Sequence, residues 1–512
     1  MPRPSFNAPS PLALSREGRG GVGRLEAGDY LLVPYLVRAL FLCAIAVSPA
    51  HAESLAFQQV LQRAVAYDAS LQIARMELER ARLETTRVAS QLDWNANGQT
   101  GVARDISVFG VPVDRVDARA GIDRRLESGS AVGLGVGVVR EDSKSTLFPF
   151  LPNPSQSVNV DASYRLPLAQ GSDNASYRQG IVTAEAGIDV AQAQWGTARN
   201  LLAQQLADSF YAAAFTYARL RSAIDAIERA ERLKRFVLRN IQLGIAETKD
   251  RLQAEAQLRA RMAEQQALHA AWDNQRIVLN RFMEREPQSE WQPQVEESRA
   301  RAALDLAATQ TEAEAIDPDL QRDSARVRIA EAAIARRRDA GRDKFDLVLS
   351  VGNRQLSGEI AGAGTSNSEA VAGARLEFRA ALDKRGADAD LTQAFIERDI
   401  ARKRFDTNRI NLRYHIARIG AEIDSIGGAL DEARARKDAE RSKLDEATRR
   451  HRSGRATTAE LIQFENDYEG AVLAVEQQTI ELARRRTELA RLRGTVWNGI
   501  EFTPLSALET RR

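Results

Sequence analysis

Four histidines, His51, His269, His415 and His451, are scattered through 512 residues, and no two fall at a spacing that would let them share a metal ion. The single cysteine, Cys43, lies in an apolar run near the N-terminus. The sequence has no phosphate-cradling glycine loop, no nucleophile elbow and no dinucleotide fingerprint after a strand. The run GLGVG from Gly133 sits within alternating, strand-like sequence, where glycine relieves crowding on one face. These absences point away from an enzyme, a cofactor or a bound metal. Two carboxylates remain of interest: Asp250 lies six residues after Gly244, and Glu460 six after Gly454. Each falls in the first turn of a following helix, where the helix dipole stabilises an acid whatever else it does.

The elements that must hold these carboxylates occur twice. The stretch RNIQLGIAETKD from Arg239 is echoed by RRHRSGRATTAEL from Arg449, and their glycines are 210 residues apart. A glycine followed by small polar residues stops a helix without unravelling it, because glycine accepts the left-handed backbone of a helix end. Further upstream, Asp68-Ala69-Ser70-Leu71-Gln72 and Asp317-Pro318-Asp319-Leu320-Gln321 open Ala/Arg/Glu-rich helices at an offset of 249 residues. Gly171 and Gly386, offset by 215, read as the ends of strand-like runs that precede long helices. The first copy is thus longer by 34 residues, and the excess falls at a hairpin around Glu127-Ser128-Gly129-Ser130.

Between the helices the pattern has period two. In SVNVDASYRLPL, Val158, Val160, Ala162, Tyr164 and Leu166 share one face, while Ser157, Asn159, Asp161, Ser163 and Arg165 share the other. The second copy repeats this with Leu347, Leu349 and Val351, and with Ala374, Leu376 and Phe378. A soluble sheet with one buried face and a transmembrane barrel with a polar lumen both give such alternation. No helical run outside the N-terminal segment reaches the ~18 apolar residues of a spanning helix, so a membrane reading requires strands. So few strands cannot close alone, and that reading therefore requires several chains.

The helices carry seams. Leu206, Phe210, Ala213, Tyr217, Leu220, Ile224 and Ile227 alternate spacings of four and three, and a series from Leu461 through Phe464, Tyr468, Ala471 and Val475 to Leu492 does the same. At ~1.5 Å per residue the first long helix reaches about 100 Å. The composition agrees: 44% hydrophobic but only 6% aromatic, with 28% charged residues and a net charge of +2. That favours extended helices and gives no field for nucleic acid.

The expected organisation is a signal peptide over 1–52, ending at Ala50-His51-Ala52, with Met1 to about Asp29 an extension ahead of the real start. Repeat 1 spans 53–290, with strands about 97–168 and a hairpin tip near 244. A connector covers 291–311. Repeat 2 spans 312–500, with strands about 345–382 and a tip near 454, and a tail covers 501–512.

This doubled order, with turns LGIAETKD and SGRATTAEL and strand exits LPLAQG and ALDKRG, resembles the TolC family of outer-membrane factors. The resemblance implies an α+β, mostly helical fold with two internal structural repeats. Three protomers would complete a transmembrane β-barrel, four strands from each, above a coiled-coil α-barrel in the periplasm. It further implies a homotrimer in the bacterial outer membrane, in contact with lipid and not with nucleic acid. Such a trimer serves as the exit duct of a tripartite efflux or type I secretion system, docked to a periplasmic adaptor (membrane fusion) protein and an inner-membrane pump. Gly244, Thr248, Asp250, Gly454, Arg455 and Thr457 would then form the adaptor-facing tip, and Glu460, one per chain, an acidic ring at the pore entrance. The sequence departs from the family where a Tyr and an Arg flank the second turn glycine: here His451 precedes Gly454 and Ala456 follows it, while Gln463 stands at a second acidic position. A soluble periplasmic coiled-coil adaptor is the alternative; it would have one helical hairpin and contiguous strand domains.

Overall fold

The computed structural model describes residues 53–106, 110–143, 150–244, 246–296 and 304–502. The expected signal peptide and most of the tail lie outside them. Strand β1 (Glu53–Ala56) leads into α1 (Phe57–Tyr67) and α2 (Ala69–Ala89). Four strands follow: β2 (Asn95–Ile106), β3 (Pro112–Arg125), β4 (Ala131–Ser143) and β5 (Ser155–Pro167). Helices α3 (Ala175–Gln242) and α4 (Thr248–Phe282) close the first half, and β6 (Trp291–Gln294) pairs back with β1. The second half runs α5 (Leu306–Ile316), α6 (Pro318–Ala340), β7 (Lys344–Ile360), β8 (Ala363–Arg379), α7 (Arg385–Arg452) and α8 (Thr458–Leu492).

Local chemistry sets the starts of the shorter helices. Asp68 accepts the Leu71 N–H at 2.8 Å and Asp317 the Leu320 N–H at 2.9 Å, each filling an otherwise unpaired donor of a first turn. Both long helices are 68 residues and both hairpin partners 35, so the two long hairpins match element for element at an offset of 210. This corrects the offset of 215 drawn from Gly171 and Gly386. Gly171 does lie before α3, with φ of 84°, but Gly386 is the second residue of α7 and has no positive φ. The insertion in the first half is therefore 39 residues, the difference between offsets of 249 and 210.

The sheet has six strands in the order β2-β3-β4-β5-β7-β8, all antiparallel: four as the resemblance implied, and two from the hairpin expected around Glu127-Ser128-Gly129-Ser130, which pairs between β2 and β5. Register gives the two faces opposite characters. Ile122 pairs with Leu134, Leu134 with Ala162, Ala162 with Val351 and Val351 with Ala372, which makes one apolar row across five strands. The other face is polar and concave, with a hollow of about 520 Å³ bordered by Gln99, Arg115, Arg119, Asp161 and Arg354. Gly133, Gly135 and Gly137 all lie on this polar side; a Cβ at Gly133 would press on Ser163 Oγ at 2.9 Å, while at Gly135 and Gly137 it would meet the Asp161 carboxylate and the Arg119 side chain only at ordinary contact distance.

The main core lies where the first short helix and the connector meet the middle of α3. Phe57, Phe210, Tyr211, Trp272 and Trp291 are buried together, with Phe210 stacked 6.4 Å from Trp291 and Trp272 edge-on to it at 5.6 Å. The connector is tied by Asn280, fully buried. Its Nδ2 donates to the Pro287 and Ser289 carbonyls, both at 3.0 Å, and its Oδ1 accepts from Trp291 Nε1 at 2.9 Å. Every polar atom of that amide is used, as burial demands.

Candidate functional site at the helical tips

Both long helices end the same way. Gly244 and Gly454 have φ of 72° and 73°, and a Cβ at either position would meet open space, so conformation and not crowding selects glycine. At the second tip, the Arg455 N–H reaches the Arg450 carbonyl at 2.8 Å and the Gly454 N–H the His451 carbonyl at 3.1 Å. This pair of bonds satisfies the terminal carbonyls of α7. At the first, the Gly244 N–H bonds the Ile241 carbonyl at 3.0 Å.

The return helices start differently. Thr457 Oγ1 accepts the Glu460 N–H at 3.2 Å and so caps α8. On α4, Glu247 holds the cap position, and Asp250 Oδ2 accepts the Glu247 N–H at 3.1 Å. Asp250 thus closes its own first turn, the local role open to any acid there. Thr248 and Arg455 are exposed, while Asp250 and Glu460 are half-buried.

Below the turns the two hairpins join. Leu233 and Val237 of α3, Ala254 of α4, Ala447 of α7, and Leu461 and Ile462 of α8 form one buried cluster, with Ile241, Leu444 and Phe464 packed against it. His451 belongs to this layer: its ring lies 5.3 Å from Phe236, and Nε2 is 3.4 Å from Thr458 Oγ1. Burial pushes its pKa below the ordinary value, and the nearby Asp250 charge partly restores it.

A polar tie between the hairpins was missed. Arg261 of α4 donates to Glu469 of α8 at 2.5 Å and to Asn466 Oδ1 at 2.7 Å, and Ser222 of α3 donates to Glu469 at 3.4 Å. Glu469 is only 6% exposed. Burial raises its pKa, and that of Glu465 one turn earlier, while Arg261 and Arg229 oppose the shift in both. The available signal was two acids four residues apart beside the seam residues Tyr468 and Ala471. Among the described residues no cluster of His, Cys, Asp or Glu could hold a metal, and no helix is long and apolar enough to cross a membrane.

No protein-family description matches this sequence, and no curated protein sequence matches it. Solved structures do. The outer membrane protein VceC of Vibrio cholerae is 13% identical, with a TM-score of 0.61 over 86% of this chain and 96% of its own. The CmeC outer membrane channel of Campylobacter jejuni is 14% identical, with 0.60 over 89% and 88%. The MtrE outer membrane channel of Neisseria gonorrhoeae, solved in an open state, is 17% identical, with 0.55 over 87% and 90%. The chain has the fold of these outer-membrane channels, over most of its length and of theirs.

Proposed function

We propose that this chain is one protomer of a homotrimeric outer-membrane channel, the passive exit duct of a tripartite efflux or type I secretion system. The observation that carries this reading is the unfilled side of the molecule. Helix α3 packs against the second helix of both halves, α2 and α6, whereas of those two α7 packs against α6 and not against α2. The missing contact is an α2 from a second copy. At the offset of 210, the fully buried Ala186 of α3 corresponds to Ile396 of α7, which is 54% exposed. At the offset of 249, Ala332 of α6 corresponds to Leu83 of α2, 68% exposed. Two large apolar side chains thus stand in water at positions matching an internal helix joint, which marks a surface built to be covered.

The sheet agrees. Its apolar side suits lipid and its charged concave side a water-filled lumen. Strands from both halves meet in that one sheet, which argues against the adaptor alternative. The tips would face an adaptor and an inner-membrane pump, with the pump supplying the energy. Around a three-fold axis Glu460 would set three carboxylates at the entrance, a ring that favours cations.

Cell fractionation with heat-resistant trimers in the detergent-extracted outer membrane is the expected result; a chain free in the periplasmic extract would refute the reading. In planar bilayers, Glu460→Gln is expected to reduce cation preference, and an unchanged channel would remove the ring.

A further inference from the structure

The six-strand sheet has a consequence for the assembled duct, one that rests on the channel reading above. Among the described residues its outer strands, β2 and β8, have no partner on one side, and they are 12 and 17 residues long. Such edges pair with something. Because the strand number is even and neighbours alternate in direction, β8 of one copy and β2 of the next run antiparallel. The joint between halves within the chain, β5 on β7, supplies the register. Ala162 faces Val351 there, and the offsets of 210 and 249 carry that pair to Ala372 and Val102. Both lie on the apolar face, so closure continues the inside-outside alternation without a break.

The extra hairpin, β3–β4, belongs to the wall. Its apolar side carries Val116, Ile122, Leu134 and Val136, each more than 40% exposed; Ile122 and Leu134 lie in the row of Val351, and Val136 in the row of Val160. On the concave side Arg119 of β3 reaches over the glycines of β4 to Asp161 of β5 at 3.4 Å. A flap lying outside a barrel would need neither a lipid-facing row nor this cross-strand tie.

The hairpin also fits the helices. At each height a chain offers four: α3 and α7 throughout, flanked by α2 and α6 near the sheet and by α4 and α8 toward the tips. Twelve helices spaced about 9.5 Å apart form a ring about 36 Å across. Strands ~4.8 Å apart and tilted ~40° each take up about 6.3 Å of circumference, so twelve give about 24 Å and eighteen about 36 Å. We propose that three copies close an eighteen-strand barrel as wide as the helical tunnel beneath it, so that the duct has no constriction at the outer membrane and passes bulky, hydrated cargo.

Electron cryo-microscopy of the detergent-extracted full-length assembly tests this directly. An eighteen-strand ring, about 1.5 times the diameter of a twelve-strand one, is the expected result. A trimer with a twelve-strand ring and β3–β4 outside it would overturn the inference and leave the channel reading standing. Absence of any closed ring would overturn both. In a second measurement, Val102→Cys combined with Ala372→Cys should form an intermolecular disulfide at trimer mass in isolated membranes. A trimer with no such cross-link would refute the proposed closure.

Discussion

The two 68-residue helices occupy corresponding places in the two halves, yet twenty residues of α3 are buried and six of α7. The sequences explain part of this. The buried set of α3 is rich in alanine, including Ala203, Ala207, Ala213, Ala214, Ala223, Ala226 and Ala230, which lets helices approach on several sides. On α7, Ile396, Ile400, Ile410 and Tyr414 are instead between 46% and 74% exposed. One helix is covered within the chain; in the proposed trimer the other is half of a contact. Internal repetition makes this difference readable, because the finished joint shows what the unfinished one lacks.

The largest effect that would break the comparison is at the centre of α3. Phe210→Ala removes a ring with no exposure from the main core, and should cost about 3–5 kcal/mol in denaturant unfolding. Ile396→Ala on α7 should leave monomer unfolding almost unchanged. The combination Leu83→Glu with Ile396→Glu should preserve helical content but abolish the heat-resistant oligomer. Equal destabilisation by Phe210→Ala and Ile396→Ala would mean that α7 is covered within its own chain.

At the tips the helices converge again, and a smaller effect sharpens the likeness. Gly244→Ala and Gly454→Ala each force a side chain into a left-handed conformation, costing roughly 1–2 kcal/mol. Since neither site is crowded, the two costs should agree, as read from hydrogen exchange of the adjoining turns. Thr457→Ala should loosen the start of α8 by ~1 kcal/mol. The same measurement on α4, whose cap is Glu247, should not respond to it.

Much of this was legible in the sequence because it depends on local chemistry. The helix-opening Asp68 and Asp317, the turn glycines and the outer strand limits follow from capping, left-handed backbone and alternation. What depends on geometry between elements was harder to read. Gly386 resembled Gly171 as a breaker, but a glycine within a helix end carries no mark of its backbone angle. The seam of α3 follows the expected series to Leu220, then shifts to Ala223, Ala226 and Ala230, leaving Ile224 half-exposed. A straight helix drifts against a 3.5-residue repeat by ~20° per heptad, so a long seam migrates around it. The additional hairpin was legible as the excess length around Glu127-Ser128-Gly129-Ser130, but its pairing between β2 and β5 was not, because β4 puts glycines on its polar face and alternation there shows only as GLGVG. At the site, the turns and caps were readable from spacing, whereas the Arg261–Glu469 tie and the packing of His451 require knowing which helices meet.

The subtlest prediction separates the two tips by pH. At the offset of 210, His451 of α7 corresponds to Ile241 of α3, so one tip has an aliphatic side chain against the shared cluster where the other has a titratable one packed on Phe236. His451 touches Phe236 of α3 and Thr458 of α8, and the charged group facing it is Asp250 of α4. Burial lowers its pKa in the packed tip, so the open tip binds more protons near pH 6. Its contribution to packing is therefore full above the ordinary histidine value of about 6.5 and is lost as pH falls through the lower, packed value. Acidification from pH 7.5 to 5.5 should raise hydrogen exchange around the second turn more than around the first. His451→Ile, which gives the second tip the side chain of the first, should flatten that response. If the variant still loosens in acid, the sensitivity belongs elsewhere in the tip, with the half-buried Glu465 and the Arg261–Glu469 tie as the next groups to substitute.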